Sequence, residues 1–115
     1  MKQTSTSRYF PYTTWGKTYN VGIIPTAYVS DNSLAIQLVE DTGIPFATAT
    51  TKLPDYPPYA PNRAFLDTNN LPGIDDWFEE LKLGFPTGNV GFSGYCAYPE
   101  FEFYLDRIQE IAPEL

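Results

Sequence analysis

At 115 residues, 43% apolar and 17% aromatic, the chain has the length of one domain and enough large rings to fill one modest core. Its net charge of −7 argues against direct nucleic-acid binding and against docking on anionic membranes, since both need a basic face. One cysteine, Cys96, and no histidine exclude an internally disulfide-stapled scaffold and the standard structural zinc sites.

Residues 1–7 are polar and without pattern, and a flexible N-terminus is expected there, ahead of a single α+β domain over 8–115. The first eight residues lack the apolar core of a signal peptide, and no stretch reaches the roughly 20 apolar residues of a membrane span, so the expected location is the cytoplasm. Pro11 interrupts Arg8–Trp15, which reads as an edge strand at best. From Lys17 to Val29, Tyr19, Val21 and Ile23 fall on one face of a strand that Pro25 interrupts. Asp31-Asn32-Ser33 is a turn signal.

Ser33–Glu40 is the clearest strand, with Leu34, Ile36 and Leu38 alternating against Ala35, Gln37 and Val39. Asp41-Thr42-Gly43 then links it to a return strand over Ile44–Leu53, a hairpin signature. Small and polar residues on both faces of that return strand imply that something large packs against one of them. Pro54–Pro61 holds four prolines and two tyrosines. It reads as a covering loop with local polyproline character, or as a partner-binding segment. Arg63–Thr68 is a short strand candidate.

Every local signal over Gly73–Leu83 predicts a helix. Ile74, Trp77, Phe78 and Leu81 form an apolar stripe at helical spacing, and Asp75, Asp76, Glu79 and Glu80 take the opposite face. Two of those acids oppose the positive helix start, and Gly84 is placed to terminate the helix. Gly88, Gly91 and Gly94 make Phe85–Pro99 a loop or an irregular, bulged strand. Glu100–Leu105 alternates again, and Asp106–Ala112 is a candidate short helix before Pro113. The expected fold is an antiparallel β meander of about five strands with one amphipathic helix packed on one face.

The missing histidine removes the commonest general base and the usual activator of a Ser or Cys nucleophile. Cys96 therefore reads as a small core residue. The glycine-rich run 84–94 lacks the lysine and the strand-to-helix setting of a phosphate loop, so its glycines are assigned to backbone geometry. Glu100 and Glu102 share one strand face, but no carboxylate set converges in sequence as a glycosidase or a Ca²⁺ site requires. No cofactor, metal or catalytic residue is expected.

Charge is unevenly distributed. Residues 1–30 carry Lys2, Arg8 and Lys17 and no acid, a net +3, while residues 31–115 carry all 14 acids and four bases, a net −10. This acidity serves solubility, or it attracts a basic partner. In the second case Asp75, Asp76, Glu79, Glu80, Glu100 and Glu102 would present carboxylates to that partner.

Four segments carry a resemblance: Ser33-Leu34-Ala35-Ile36-Gln37-Leu38, Pro45-Phe46-Ala47-Thr48-Ala49-Thr50, Ala64-Phe65-Leu66-Asp67-Thr68-Asn69-Asn70, and Pro86-Thr87-Gly88 with Gly94-Tyr95-Cys96-Ala97-Tyr98-Pro99. Over about residues 33–107 the chain resembles a domain-of-unknown-function family of small acidic proteins from conjugative transposons, plasmids and phages of gut bacteria. The resemblance implies an accessory, regulatory or anti-defence role and transfers no functional residue. The expectation is a non-enzymatic interaction protein of a mobile element that binds a basic partner. The alternatives are a carboxylate-based enzyme, a small-molecule or glycan binder, and a structural protein that self-associates.

Overall fold

The computed structural model describes residues 8–53, 55–56 and 60–113. The expected N-terminal segment 1–7 and half of the Pro/Tyr loop, residues 54 and 57–59, lie outside the described residues. Side-chain alternation produces two antiparallel four-stranded sheets. Strands β1 (Phe10–Thr14), β2 (Lys17–Ala27), β3 (Leu34–Glu40) and β4 (Pro45–Thr48) follow one another across the first sheet. The second contains β5 (Thr50–Thr51), β6 (Arg63–Leu66), β7 (Gly84–Ser93) and β8 (Cys96–Phe103), in spatial order β5-β6-β8-β7. The antiparallel α+β architecture is the one the alternation implies, built from eight strands in two sheets rather than from about five, with β7 running as one strand, irregular between Pro86 and Val90, where a loop or bulged strand is expected.

β1 lies at a sheet edge, where Pro11 is tolerated because a missing N–H there removes no central ladder bond. Pro25 does not end β2, which runs on to Ala27. Pairing with β1 stops at Val21, so among the described residues Pro25, opposite Ile36, has a strand neighbour on one side alone.

The return strand is not continuous. At Ala49 the chain passes from one sheet to the other, as strands do at the corners of packed sheets. The Ala49 N–H donates to the Ile36 carbonyl at 2.8 Å, and its own carbonyl accepts from the Asp67 N–H at 2.8 Å. The Thr50 hydroxyl accepts from the Ile36 N–H at 3.2 Å and bonds the Tyr28 hydroxyl at 3.0 Å. Side-chain oxygen thus replaces a ladder bond where the strands part.

Both sheets contribute to one main core. Val21, Ile23, Ile36 and Leu38 meet Leu66, Phe101 and Phe103, closed by Ile74, Trp77 and Phe78 from one helix and Ile108 from another. Each such side chain contributes about 1.5–3 kcal/mol through burial. Ala49, where the chain crosses between the sheets, is fully buried in this cluster.

Helix α1 (Ile74–Glu80) buries the expected Ile74, Trp77 and Phe78 face but is shorter than 73–83. Lys82, with φ of 59°, enters the left-handed region and stops the helix before Gly84 is reached. Gly84 instead opens β7. A Cβ there would lie 2.8 Å from the Glu102 carbonyl oxygen, so glycine lets the two strands approach. Helix α2 (Leu105–Ile111) fulfils the expectation at the C-terminus and packs on β2. Arg8 holds the C-terminal end of α2 by donating to the Glu110 and Ala112 carbonyls at 2.9 and 2.7 Å.

Candidate functional site

Helix α1 is fastened to the edge strand β1. The Trp77 indole donates to the Pro11 carbonyl at 2.7 Å, and the Tyr12 hydroxyl donates to the Pro72 carbonyl at 2.9 Å. The two rings pack with centroids 5.4 Å apart. Burial pushes the Tyr12 phenol up; the nearby Thr14 hydroxyl opposes this, and the nearby Asp75 charge adds to it. The apolar stripe is therefore fixed against β1, and the helical period turns the acids outward.

Asp76, Glu79 and Glu80 are exposed and Asp75 is half-buried. A groove of about 280 Å³ runs between α1 and β1, with Pro11, Tyr12 and Thr13 on one wall and Asp76, Trp77 and Glu80 on the other. Asp76 and Glu80 stand one helical turn apart on the same face. Among the described residues none of the four α1 acids forms an ion pair. Chemically, the groove can neutralise a cation with two carboxylates and accept its N–H donors.

Glu100 and Glu102 belong to a different place. They share a face of β8, as the spacing implies, but Glu100 is fully buried and cannot serve as an exposed ligand. Its Oε1 accepts from the Thr87 hydroxyl at 2.7 Å and the Asn89 carboxamide at 3.0 Å. The Arg63 Nη1 stands 3.8 Å from the same oxygen, while Arg63 Nε donates to Glu102 Oε1 at 3.0 Å. Strand register explains the arrangement: Arg63 lies directly opposite Glu102 in the β6–β8 ladder. The irregularity in β7 between Pro86 and Val90 brings Thr87 and Asn89 over Glu100. Glu100 Oε2 has no partner among the described residues. The six acids expected on one surface thus divide into four on α1 and two in a cluster closed by Arg63.

Beside that cluster, Leu53, Phe65 and Tyr98 form a second, smaller apolar group on the outer side of the second sheet, with Tyr56 and Cys96 against it. Cys96 packs here only half-buried, against this smaller group and not in the main core where a small core residue is expected. Gly91 faces the same group: a Cβ would come within 2.5 Å of Leu53 Cδ1 and 3.0 Å of the Phe65 ring. This is the close approach the glycine-rich run anticipates. A cavity of about 100 Å³ opens nearby between Tyr28, Lys52, Tyr56 and Arg63. At its rim Lys52 meets Asp31 at 2.6 Å. The Lys52 hydrogen bond first, then those from Ser33, hold the Asp31 carboxyl at about 2, well below its ordinary 3.8.

Sequence reasoning does not find Arg63, Thr87 and Asn89. Arg63 merely precedes a strand, and Thr87 and Asn89 flank a glycine, so nothing local ties them to Glu100. Among the described residues, no group of three or more Cys, Asp or Glu side chains is disposed to hold a metal ion. No helix there is long and apolar enough to cross a membrane.

Residues 24–115 match the family described as Domain of unknown function (DUF4313), a span that contains the segments of the resemblance. No curated protein and no solved structure matches the chain.

Proposed function

The chain belongs to the DUF4313 family, and we propose that it is a non-enzymatic interaction protein whose α1–β1 groove takes a basic side chain of a protein partner. One observation carries this reading: Asp76 and Glu80 line the same groove and form no ion pair among the described residues. Five cations are engaged elsewhere, and Lys82, exposed just past α1, pairs with neither acid among the described residues. Lys52 and Arg63 hold other acids, Arg8 binds carbonyls, and Lys17 and Arg107 lie over tyrosine rings. A partner's arginine or lysine supplies the missing charge, with rate and specificity from complementary potential.

Binding is favoured over catalysis by the exposure of these acids. A catalytic carboxylate pair needs one member kept protonated by burial or by a close like charge. Asp76, Glu79 and Glu80 are all exposed to water. Glu100, which is buried, is closed in by Arg63, Thr87 and Asn89 and lines none of the grooves described above.

In biological terms the reading is an accessory protein of a mobile genetic element, regulatory or anti-defence in role, acting in the cytoplasm. Its support is the resemblance of segments within residues 33–107 to proteins of such elements. The test is affinity capture from host lysate with the wild type and with Asp76→Asn/Glu80→Gln. A basic protein should be recovered by the wild type, released as salt rises, and absent with the variant. Equal recovery by both proteins would refute the groove, and a neutral or acidic partner would refute the electrostatic reading.

A further inference from the structure

The β1–β2 hairpin closes through two residues, Trp15 and Gly16, between the paired Thr14 and Lys17. Both adopt positive φ, 51° and 76°, as two-residue hairpin turns of the I′ type require. Asn, Asp or Gly suits the first position, whereas a bulky side chain there is a conformational outlier. Burial does not compensate for the strain, because Trp15 is 68% exposed. A large ring placed against local preference and left in water points to a contact made with another molecule.

The surroundings define what that molecule is. Trp15 borders a groove of about 330 Å³ together with Phe46, Thr48, Asp67 and Asn70. Asp67 accepts from the Asn70 N–H at 3.1 Å through one oxygen and from the Asn70 carboxamide at 2.8 Å through the other. The carboxylate and the carboxamide are thereby locked side by side. The carboxylate retains acceptor capacity, and the carboxamide retains a second N–H and its carbonyl. No Lys or Arg lines the groove, and Asp67 repels anions, so a phosphate or carboxylate ligand does not fit. A guanidinium or ammonium group offers donors only and leaves the remaining Asn70 N–H unmatched. Neighbouring hydroxyl groups both donate and accept, and match both residues.

We infer that this groove binds a neutral pyranose oligosaccharide, with the C–H face of one sugar ring on the Trp15 indole and its hydroxyls on Asp67 and Asn70. The site is separate from the α1–β1 groove and shares no lining residue with it. Its size matches that of small-ligand sites, and the mixture of an apolar platform with a few fixed polar groups is the usual means of orienting a ligand.

The test is isothermal titration of the full chain with maltohexaose, cellohexaose, mannohexaose and chitohexaose, and with a capped oligolysine peptide as the cationic control. Saturable binding of at least one oligosaccharide is expected. Trp15→Asn should weaken it by about tenfold or more, equivalent to about 1.4 kcal/mol, while raising the melting temperature because Asn suits the turn. Asp67→Asn should weaken it as well. Failure of all four sugars at millimolar concentration would overturn the inference. So would unchanged sugar affinity in Trp15→Asn, or loss of peptide binding rather than sugar binding on that substitution.

Discussion

The indole Nε1 of Trp77 donates a 2.7 Å hydrogen bond to the main-chain carbonyl of Pro11. This one contact ties the helix that carries the acids to the edge strand that forms the other wall of their groove. Pro11 has no N–H of its own, so its carbonyl is the polar group that β1 can offer at this point. The Trp77→Phe variant keeps a large ring in the core and removes the donor. It should lose about 1–3 kcal/mol, as expected for a partly buried acceptor left unpaired. Urea unfolding of the two proteins measures this, and the Tyr12–Trp77 packing makes Tyr12→Phe partly non-additive with it.

Arg63 and Glu100 should behave as a coupled pair. The Arg63→Met substitution leaves a buried carboxylate with two neutral donors and should cost about 1–3 kcal/mol. The Glu100→Gln substitution keeps a carbonyl oxygen for Thr87 and Asn89 and removes the buried charge, so its cost should be smaller. In the double variant the loss of Arg63 should matter less than it does alone, with a coupling of about 1 kcal/mol in a double-mutant cycle. Strict additivity would show that the 3.8 Å contact contributes nothing.

The sequence makes these two regions legible to very different degrees. The hairpin from Ser33 through Gly43, helix α1 and the helix after Glu100 are visible because their signals are local: alternation, a turn glycine, and an apolar stripe at helical spacing. The position of Glu100 is not local. Alternation places it beside Glu102, but its burial depends on Arg63, 37 residues earlier in the chain, and on an irregularity in β7. The break of the return strand at Ala49 is hidden for the same reason, since Ile36 on β3 and Asp67 just past β6 bond its backbone. Trp15 is missed because a Trp-Gly turn contradicts the residue preferences by which turns are recognised.

Gly91 is held by contact. The Gly91→Ala substitution should cost about 1–3 kcal/mol, the usual range for overpacking a filled site, because the new methyl group meets Leu53 and Phe65. Leu53→Ala costs stability alone but opens that space. Gly91→Ala should therefore be less harmful in the Leu53→Ala background than in the wild type. Thermal unfolding of the four proteins of the cycle checks this.

Asp31 has a pH-dependent effect with a definite sign. Its carboxyl titrates at about 2 in the folded protein against an ordinary 3.8. A depressed carboxyl stabilises the folded state fully above its unfolded value, and the contribution disappears as pH falls through the folded value. The stability difference between the wild type and Asp31→Asn should thus be constant above 3.8 and shrink between 3.8 and about 2. Unfolding across that window measures it, and the carboxyl ¹³C shift of Asp31 reports the titration directly.

The most direct test of the α1–β1 groove is a ¹⁵N chemical-shift titration with an arginine-rich peptide. The Trp77 indole N–H and the backbone N–H groups of Thr13, Asp76 and Glu80 should shift together and saturate with one affinity, and Asp76→Asn/Glu80→Gln should abolish the response. Shifts spread evenly over acidic residues throughout the chain, or a response unchanged in the double variant, would contradict the account.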